Sequence, residues 1–180
     1  MEILYSKEGF TFTKVKPLHY SLSFHMQNNY MILSRIIDFH LIKLIYDLNN
    51  DIYENVNLHI INEEEATVNL LMKHLFADLG LPQRYSYLHM RKITNESSIQ
   101  FISQTIKSEI PEGMPLDAEL MPIQTMVCNC KILSPHKMLF TVDVQFEDTI
   151  TIPAVAEKIV GLILHKIFNR VKQFIENVRM

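Results

Sequence analysis

Alternating hydrophobic and polar positions predict β-strands along much of the chain. Leu18, Tyr20, Leu22, Phe24 and Met26 fall on every second position, which is the period of a strand with one buried face. Similar patterns, bounded by short polar turns, recur in the second half of the chain. The predicted strands are residues 3–15, 18–27, 56–61, 85–93, 98–106, 121–133 and 137–147.

Three further segments show the spacing of helices. Residues 30–48 carry one apolar stripe and a second beside it, a face wider than a single sheet contact needs. Residues 63–79 follow Asn62 as an N-cap, begin with three glutamates and end at Gly80. Residues 153–178 start with a proline, which the first turn of a helix tolerates.

The predicted elements follow the order ββ-α-β-α-ββββ-α. This order indicates an α+β fold with a mainly antiparallel sheet packed against long helices, including a C-terminal helix. With 180 residues and a hydrophobic fraction of 48%, the chain can bury a substantial core, and we expect a single domain over residues 1–180.

Charge and composition exclude several classes of protein. The net charge is −3 and the basic residues are scattered, so no nucleic-acid partner is expected. Charged residues interrupt the longest apolar stretches, so no membrane span is expected. The first ten residues do not resemble a signal peptide, and a reducing cytoplasmic location is the simplest expectation. The abundance of Ile, Asn and Lys suits an AT-rich genome, such as those of many viruses or protists.

The sequence contains no recognisable arrangement of catalytic, metal-binding or cofactor-binding residues. Its four glycines are isolated, so phosphate-binding loops of the common types are missing. Cys128 and Cys130 lack two further ligands for a closed zinc site and are expected to be small buried side chains. We therefore expect neither a cofactor nor a metal. An enzyme of unfamiliar type ranks lowest among the functional hypotheses, although catalytic residues can be distant in sequence.

The wide apolar face of residues 30–48 leads to the first functional hypothesis. A non-enzymatic interaction protein or structural subunit of a larger assembly would use such a face for a protein partner or for self-association. The candidate interface residues are Leu33, Ile37, Leu41 and Leu44.

The second hypothesis is a carrier of a small hydrophobic ligand or lipid. A curved antiparallel sheet followed by a long C-terminal helix, mostly residues 85–180, resembles the START/Bet v 1 lipid-binding architecture in its order of elements. The N-terminal hairpin and the helix at residues 30–48 depart from that order. The resemblance implies a pocket between the sheet and the last helix. Its candidate residues are Ile159, Ile163, Ile167, Phe140, Val142 and His165, whose neutral imidazole could orient a ligand.

Overall fold

A computed structural model describes residues 1–75 and 77–179, and in these residues ten β-strands and two α-helices form. The sheet order is β1-β2-β3-β10-β9-β7-β6-β5-β4, and the short strand β8 lies beside β6. The strands along this order pair antiparallel, whereas β8 pairs with β6 in parallel. The strands are β1 Glu2–Lys7, β2 Phe10–Lys16, β3 His19–Gln27, β4 Tyr53–Asn62, β5 Glu65–Met72, β6 Arg84–Thr94, β7 Ser98–Thr105, β8 Glu119–Leu120, β9 Ile123–Ser134 and β10 Lys137–Phe146, and the helices are α1 Phe39–Asp47 and α2 Ala154–Asn177. The predicted α+β class, with a mainly antiparallel sheet and a C-terminal helix, is confirmed.

One face of the sheet forms the core, as the alternation in the sequence predicts. Strand β3 buries Tyr20 and every second residue after it through Met26. Its neighbour β10 buries alternate residues from Met138 to Val144. Cys128 and Cys130 lie on the same face of β9 as free, buried cysteines. Burial raises the pKa of Cys128 to about 12 and also raises the pKa of Cys130, so both thiols stay protonated.

The predicted helix at residues 63–79 is wrong over most of its length. Its first half forms β5, which pairs with β4 on one side and β6 on the other. A short 3₁₀ turn, Ala77–Leu79, follows, and Gly80 then adopts a positive φ of 73°. Phe76, which the predicted helix included, lies outside the described residues. As a strand, β5 forms backbone hydrogen bonds with β4 and with β6, whereas a helix in this position would leave both of these strands unpaired along that edge.

The predicted helix at residues 30–48 is shorter than expected. A 3₁₀ turn, Leu33–Ile36, comes first, and α1 begins only after Asp38. The Asp38 carboxylate caps α1 by accepting hydrogen bonds from the amides of His40 and Leu41, at 2.9 and 3.2 Å. The chain therefore bends between two short helical pieces, and both pieces contribute side chains to the core.

The two halves of α2 are held to the sheet in different ways. In the C-terminal half, the ring of Phe168 packs against Phe24 and Phe140 with centroid separations of 5.9 and 5.5 Å. Near its end, the Asn28 amide donates a hydrogen bond of 2.6 Å to the Ile175 carbonyl. In the N-terminal half, Gly161 lies so close to β2 that an added Cβ would sit 2.6 Å from the Phe12 ring. The absence of a side chain at Gly161 is what allows this approach.

A cluster of charges joins α2 to the loop that follows α1. Asp51 accepts two hydrogen bonds from Arg170, at 2.5 and 2.9 Å, and lies 3.0 Å from the Lys166 ammonium. The Arg170 guanidinium, followed by Lys166, holds the pKa of the Asp51 carboxyl well below its usual range. No helix in the described part of the chain is both long and apolar enough to cross a membrane.

An apolar cavity beneath the C-terminal helix

A cavity of about 250 Å³ lies between the N-terminal half of α2 and one end of the sheet. At this end β3, β4, β6 and β9 begin, while β5 and β10 end, because neighbouring strands run antiparallel. The cavity residues are Tyr20, Tyr46, Tyr53, Leu70, Met72, Lys73, Leu75, Pro82, Arg84, Ser86, Leu88, Met121, Ile123, Met126, Val144, Phe146, Val160, Ile163, Leu164 and Ile167.

One face of α2 forms the cover of the cavity. Val160, Ile163, Leu164 and Ile167 line it and follow the spacing i, i+3, i+4 and i+7, which places them on a single side of a helix. Leu162 lies between them in sequence but points away and is 52% exposed. The cover is therefore a defined apolar stripe.

The sheet side of the cavity combines branched aliphatic residues with methionines. Val144, Ile123 and Leu88 supply buried aliphatic surface from three different strands. Met72, Met121 and Met126 also line the cavity, and the unbranched thioether side chain of methionine adapts to irregular shapes. This wall can adjust to apolar ligands of somewhat different outline.

Two tyrosines contribute aromatic surface without charge. The rings of Tyr46 and Tyr53 meet edge to face, with centroids 5.0 Å apart and planes at 88°. Burial raises the pKa of both hydroxyls well above the usual value for tyrosine. Both side chains therefore remain neutral, and their rings face the cavity as apolar surface.

A buried carboxylate fixes the first turn of α2 beside the cavity. Glu157 is 6% exposed, accepts a hydrogen bond of 2.5 Å from the Tyr20 hydroxyl and lies 2.9 Å from the Lys14 ammonium. Burial alone would raise the pKa of the Glu157 carboxyl, but the hydrogen bonds from Tyr20 and Lys14 outweigh it and lower the pKa. Burial and the same hydrogen bond raise the pKa of Tyr20. Glu157 thus anchors the cover as a charged group.

The polar part of the cavity lining is small and carries positive charge. Lys73 and Arg84 line the cavity at the junction of β5 and β6, and the buried hydroxyl residue Ser86 lies two positions along β6. One amino group of Arg84 lies 3.2 Å from Glu119, and the same nitrogen donates a weaker hydrogen bond of 3.4 Å to the Leu120 carbonyl. Among the described residues that line the cavity, none is acidic.

The structure brings together only part of the pocket predicted from the sequence. Ile163 and Ile167 line the cavity, while Ile159 is half-buried on α2 outside its lining. Phe140 and Val142 are buried in the core away from the cavity lining.

His165 also lies outside the lining, beneath the first hairpin. Its Nδ1 is 2.5 Å from the Tyr5 hydroxyl, and its ring is 4.5 Å from that of Phe10. The imidazole therefore belongs to the contact between α2 and the β1–β2 hairpin, at a distance from the cavity.

The candidate interface residues are mostly covered by the chain itself. Leu33, Ile37 and Leu41 are each at most 5% exposed and belong to the hydrophobic core. Leu44 is half-buried and lines a shallow groove with residues of α2. Three of these four side chains are thus not exposed on the surface.

Several cavity residues were missed by the sequence analysis. Arg84 and Ser86 continue the inward alternation of Leu88 and Met90. Ser86 lies inside the predicted strand 85–93 and Arg84 directly precedes it, so extending the period by one residue could have identified both. Tyr46 and Tyr53 offer no such signal, because only the folded chain places α1 and the start of β4 beside the cavity.

Comparison with known proteins identifies the fold. No protein-family model matches the chain, and no curated protein matches it. Among solved structures, the human StarD13 lipid transfer and protein localization domain is similar with a TM-score of 0.67 and 11% identity, covering 94% of this chain and 84% of that one. A fragment of a STAR-related lipid transfer protein from Xanthomonas axonopodis is similar with a TM-score of 0.66 and 10% identity, covering 96% and 97% of the two chains. Human STARD10 is similar with a TM-score of 0.61 and 9% identity, covering 94% and 74%. This chain has a START-like α+β fold with an apolar cavity under its last helix.

The first functional hypothesis, a structural subunit of a larger assembly, is wrong in the light of these comparisons. The similar structures named above include two lipid transfer proteins by description. The apolar face that suggested an interface is also largely buried within the chain.

Proposed function

We propose that this protein carries a small hydrophobic ligand in the cavity beneath α2. The observation that carries the proposal is the apolar cavity itself, which lies between the sheet and the cover stripe of α2. Ligand sites are typically concave and mainly apolar, with a few polar groups that orient the ligand. The START-like fold supports the proposal, since solved structures with this fold include lipid transfer proteins.

The size of the cavity suits a small ligand. An apolar cavity of about 150 Å³ is large enough to bind benzene, a molecule of six carbon atoms. By the same ratio, the volume of about 250 Å³ accommodates about ten carbon atoms.

We propose that the carrier acts as one domain in a reducing compartment, which the two free, buried cysteines support.

Binding of an uncharged fluorescent probe tests the carrier function. 1-Naphthylamine has ten carbon atoms, is uncharged at neutral pH and shifts its fluorescence to shorter wavelength in apolar surroundings, so titration with purified protein should give a saturable change with one site per chain. The variant Ile163→Trp fills the cavity from its cover and should reduce the affinity at least tenfold.

The neighbouring variant Leu162→Trp is the matched control. It adds the same side chain to the same helix, but on the exposed face, and should leave probe binding unchanged. Circular dichroism would show that both variants are folded. If the wild-type protein gives no saturable signal, or if both variants bind as well as the wild type, the cavity is not a ligand site.

A further inference from the structure

We infer that the ligand is a single-chain amphiphile with an anionic head group, whose chain fills the cavity and whose head lies at Arg84 and Lys73. This inference rests on the proposed carrier function and deepens it by naming the class of ligand. The chemistry that recognises such a ligand is a short apolar space whose lining carries cations at one end.

The first observation is the position of Arg84. It precedes Ser86, Leu88 and Met90 at alternate positions of β6, and these three residues are buried on the inner face of the sheet. Arg84 therefore starts a row of side chains that leads from the polar end of the cavity into its apolar interior. A guanidinium offers several donors in a planar arrangement that suits a carboxylate, sulfate or phosphate.

The second observation is the charge of the lining. Lys73, directly after Met72 of β5, also lines the cavity, so two cations lie at the β5–β6 junction. No carboxylate belongs to the described lining, and Glu119, which pairs with Arg84 at 3.2 Å, lies outside it. Since apolar walls screen charge less than water does, these cations favour an anion and disfavour an ammonium head group.

The partner of Arg84 does not account fully for its position. Glu119 lies outside the lining, its side chain is 61% exposed, and the ion pair is 3.2 Å long. Exposed ion pairs of this kind contribute little to stability. Glu119 can release the guanidinium to a competing anion, so the ion pair is compatible with a role of Arg84 in binding.

The third observation is the volume, which favours a ligand with one short chain. Space for about ten carbon atoms is far below what two long acyl chains require. A medium-length chain with one anionic head satisfies both the apolar interior and the cationic end.

Displacement of the neutral probe by ligands of one chain length tests the head group. Decanoate, 1-decanol and decylammonium would be titrated below their aggregation concentrations at neutral pH and low salt. Decanoate should displace the probe at a concentration about tenfold lower than decanol, because hydrogen bonds to charged groups are stronger than neutral ones. Decylammonium should be the weakest. Equal displacement by decanoate and decanol, or the best displacement by decylammonium, would overturn the anionic head while leaving the carrier function intact.

A second titration tests the chain. Decanoate should compete better than hexadecanoate and better than a two-chain phosphatidate presented in detergent. Stronger competition by the phosphatidate would overturn the single-chain class. Loss of probe binding itself would instead count against the carrier function, so the two failures are distinguishable.

Variants of the two cations localise the head group. Arg84→Met should weaken decanoate about tenfold and leave decanol unchanged, whereas Arg84→Lys should keep most of the affinity. If Arg84→Met fails to fold, the same titration of Lys73→Met, a substitution at an exposed position, provides a second test of the cationic site. Lys137→Met, at the opposite end of the sheet, is the control. Unchanged selectivity for decanoate over decanol in both cavity variants would overturn the assignment.

Glu119→Gln separates a binding role of Arg84 from a structural one. Removing the competing carboxylate should increase decanoate affinity severalfold and leave decanol affinity unchanged. An unchanged or lower affinity for decanoate would indicate that Arg84 serves only its structural contact with Glu119 of β8, and would overturn its role in ligand binding.

Discussion

At the scale of single residues, the buried carboxylate of Glu157 is the most informative group. It is the acidic residue of the first turn of α2 and is nearly inaccessible to water. A charged group at such a depth is stable only with good partners, which Tyr20 and Lys14 supply. The anchoring of the cavity cover therefore depends on the ionisation state of one side chain.

Replacing Glu157 with Gln should destabilise the protein in a way that depends on pH. Removing a hydrogen-bonded buried charge is expected to lower the free energy of unfolding by about 1–3 kcal/mol at neutral pH. Because folding lowers the pKa of Glu157, its contribution is present above the unfolded value of about 4.3 and is lost as the pH falls through the folded value. Urea denaturation of both proteins between neutral and acidic pH should show the difference shrinking below about pH 4.

The exposed substitution Glu96→Gln serves as the control, because it changes the same functional group outside the core. It should leave the free energy of unfolding nearly unchanged at every pH. A difference between wild type and Glu157→Gln that stays constant down to acidic pH would show that the charge of Glu157 is not what stabilises the contact.

At the scale of elements, the strands could be predicted more reliably than the helices. Alternation alone located β3 and β10, because both bury one face along their whole length. In residues 63–79 two patterns compete. Val68, Leu71 and Met72 fit a helix, whereas Ala66, Val68 and Leu70 fit the strand that forms. Pairing with β4 and β6 decides in favour of the strand, and such non-local pairing is not visible in a local pattern.

Short polar residues that can cap a helix can also close a turn, and the sequence alone did not distinguish the two roles. Asn62 suggested the start of a helix, but its side chain accepts a hydrogen bond of 2.8 Å from the Glu64 amide and closes the turn between β4 and β5. Conversely, Asp38 lay inside a predicted helix and is in fact the cap at which α1 starts. The same short polar side chains serve caps and turns, so their local sequence does not separate the two.

The α2 helix provides a test of how closely an element must pack. Gly161→Ala would favour a helix by about 0.5–1 kcal/mol through backbone entropy. It would also place a methyl group 2.6 Å from the ring of Phe12, which is fully buried and has little room to move. Overpacking of this kind costs about 1–3 kcal/mol, so the net effect should be destabilising. Thermal unfolding of the variant should show a lower Tm.

The same substitution in a Phe12→Leu background is the control for this steric argument. With the aromatic ring removed, Gly161→Ala should become neutral or stabilising, since only the helix preference remains. A destabilisation that persists in the Phe12→Leu background would show that the ring is not the obstacle.

At the scale of the whole molecule, the site results from elements that meet only in the folded chain. The helical period of α2 pointed to Ile163 and Ile167, and both line the cavity. The opposite wall comes from six strands and α1, so its tyrosines and its cations could not be assembled from local spacing. The two halves of α2 consequently differ in what lies beneath them, which is a packed aromatic cluster in one case and a cavity in the other.

This difference predicts where ligand binding should stabilise the protein. Local unfolding of the first half of α2 exposes the cavity and must release the ligand. At a ligand concentration one hundred times Kd, this release adds about 2.7 kcal/mol to the free energy of opening. Amide hydrogen exchange in residues 157–164 should therefore slow by up to about a hundredfold with 1-naphthylamine. Phe168, at the start of residues 168–175, packs on Phe24 and Phe140. Local unfolding confined to that half keeps the ligand bound, so exchange in residues 168–175 should change less. The Ile163→Trp variant should show neither effect. Equal slowing along the whole of α2 would mean that the helix opens as one unit and that its two halves are not energetically distinct.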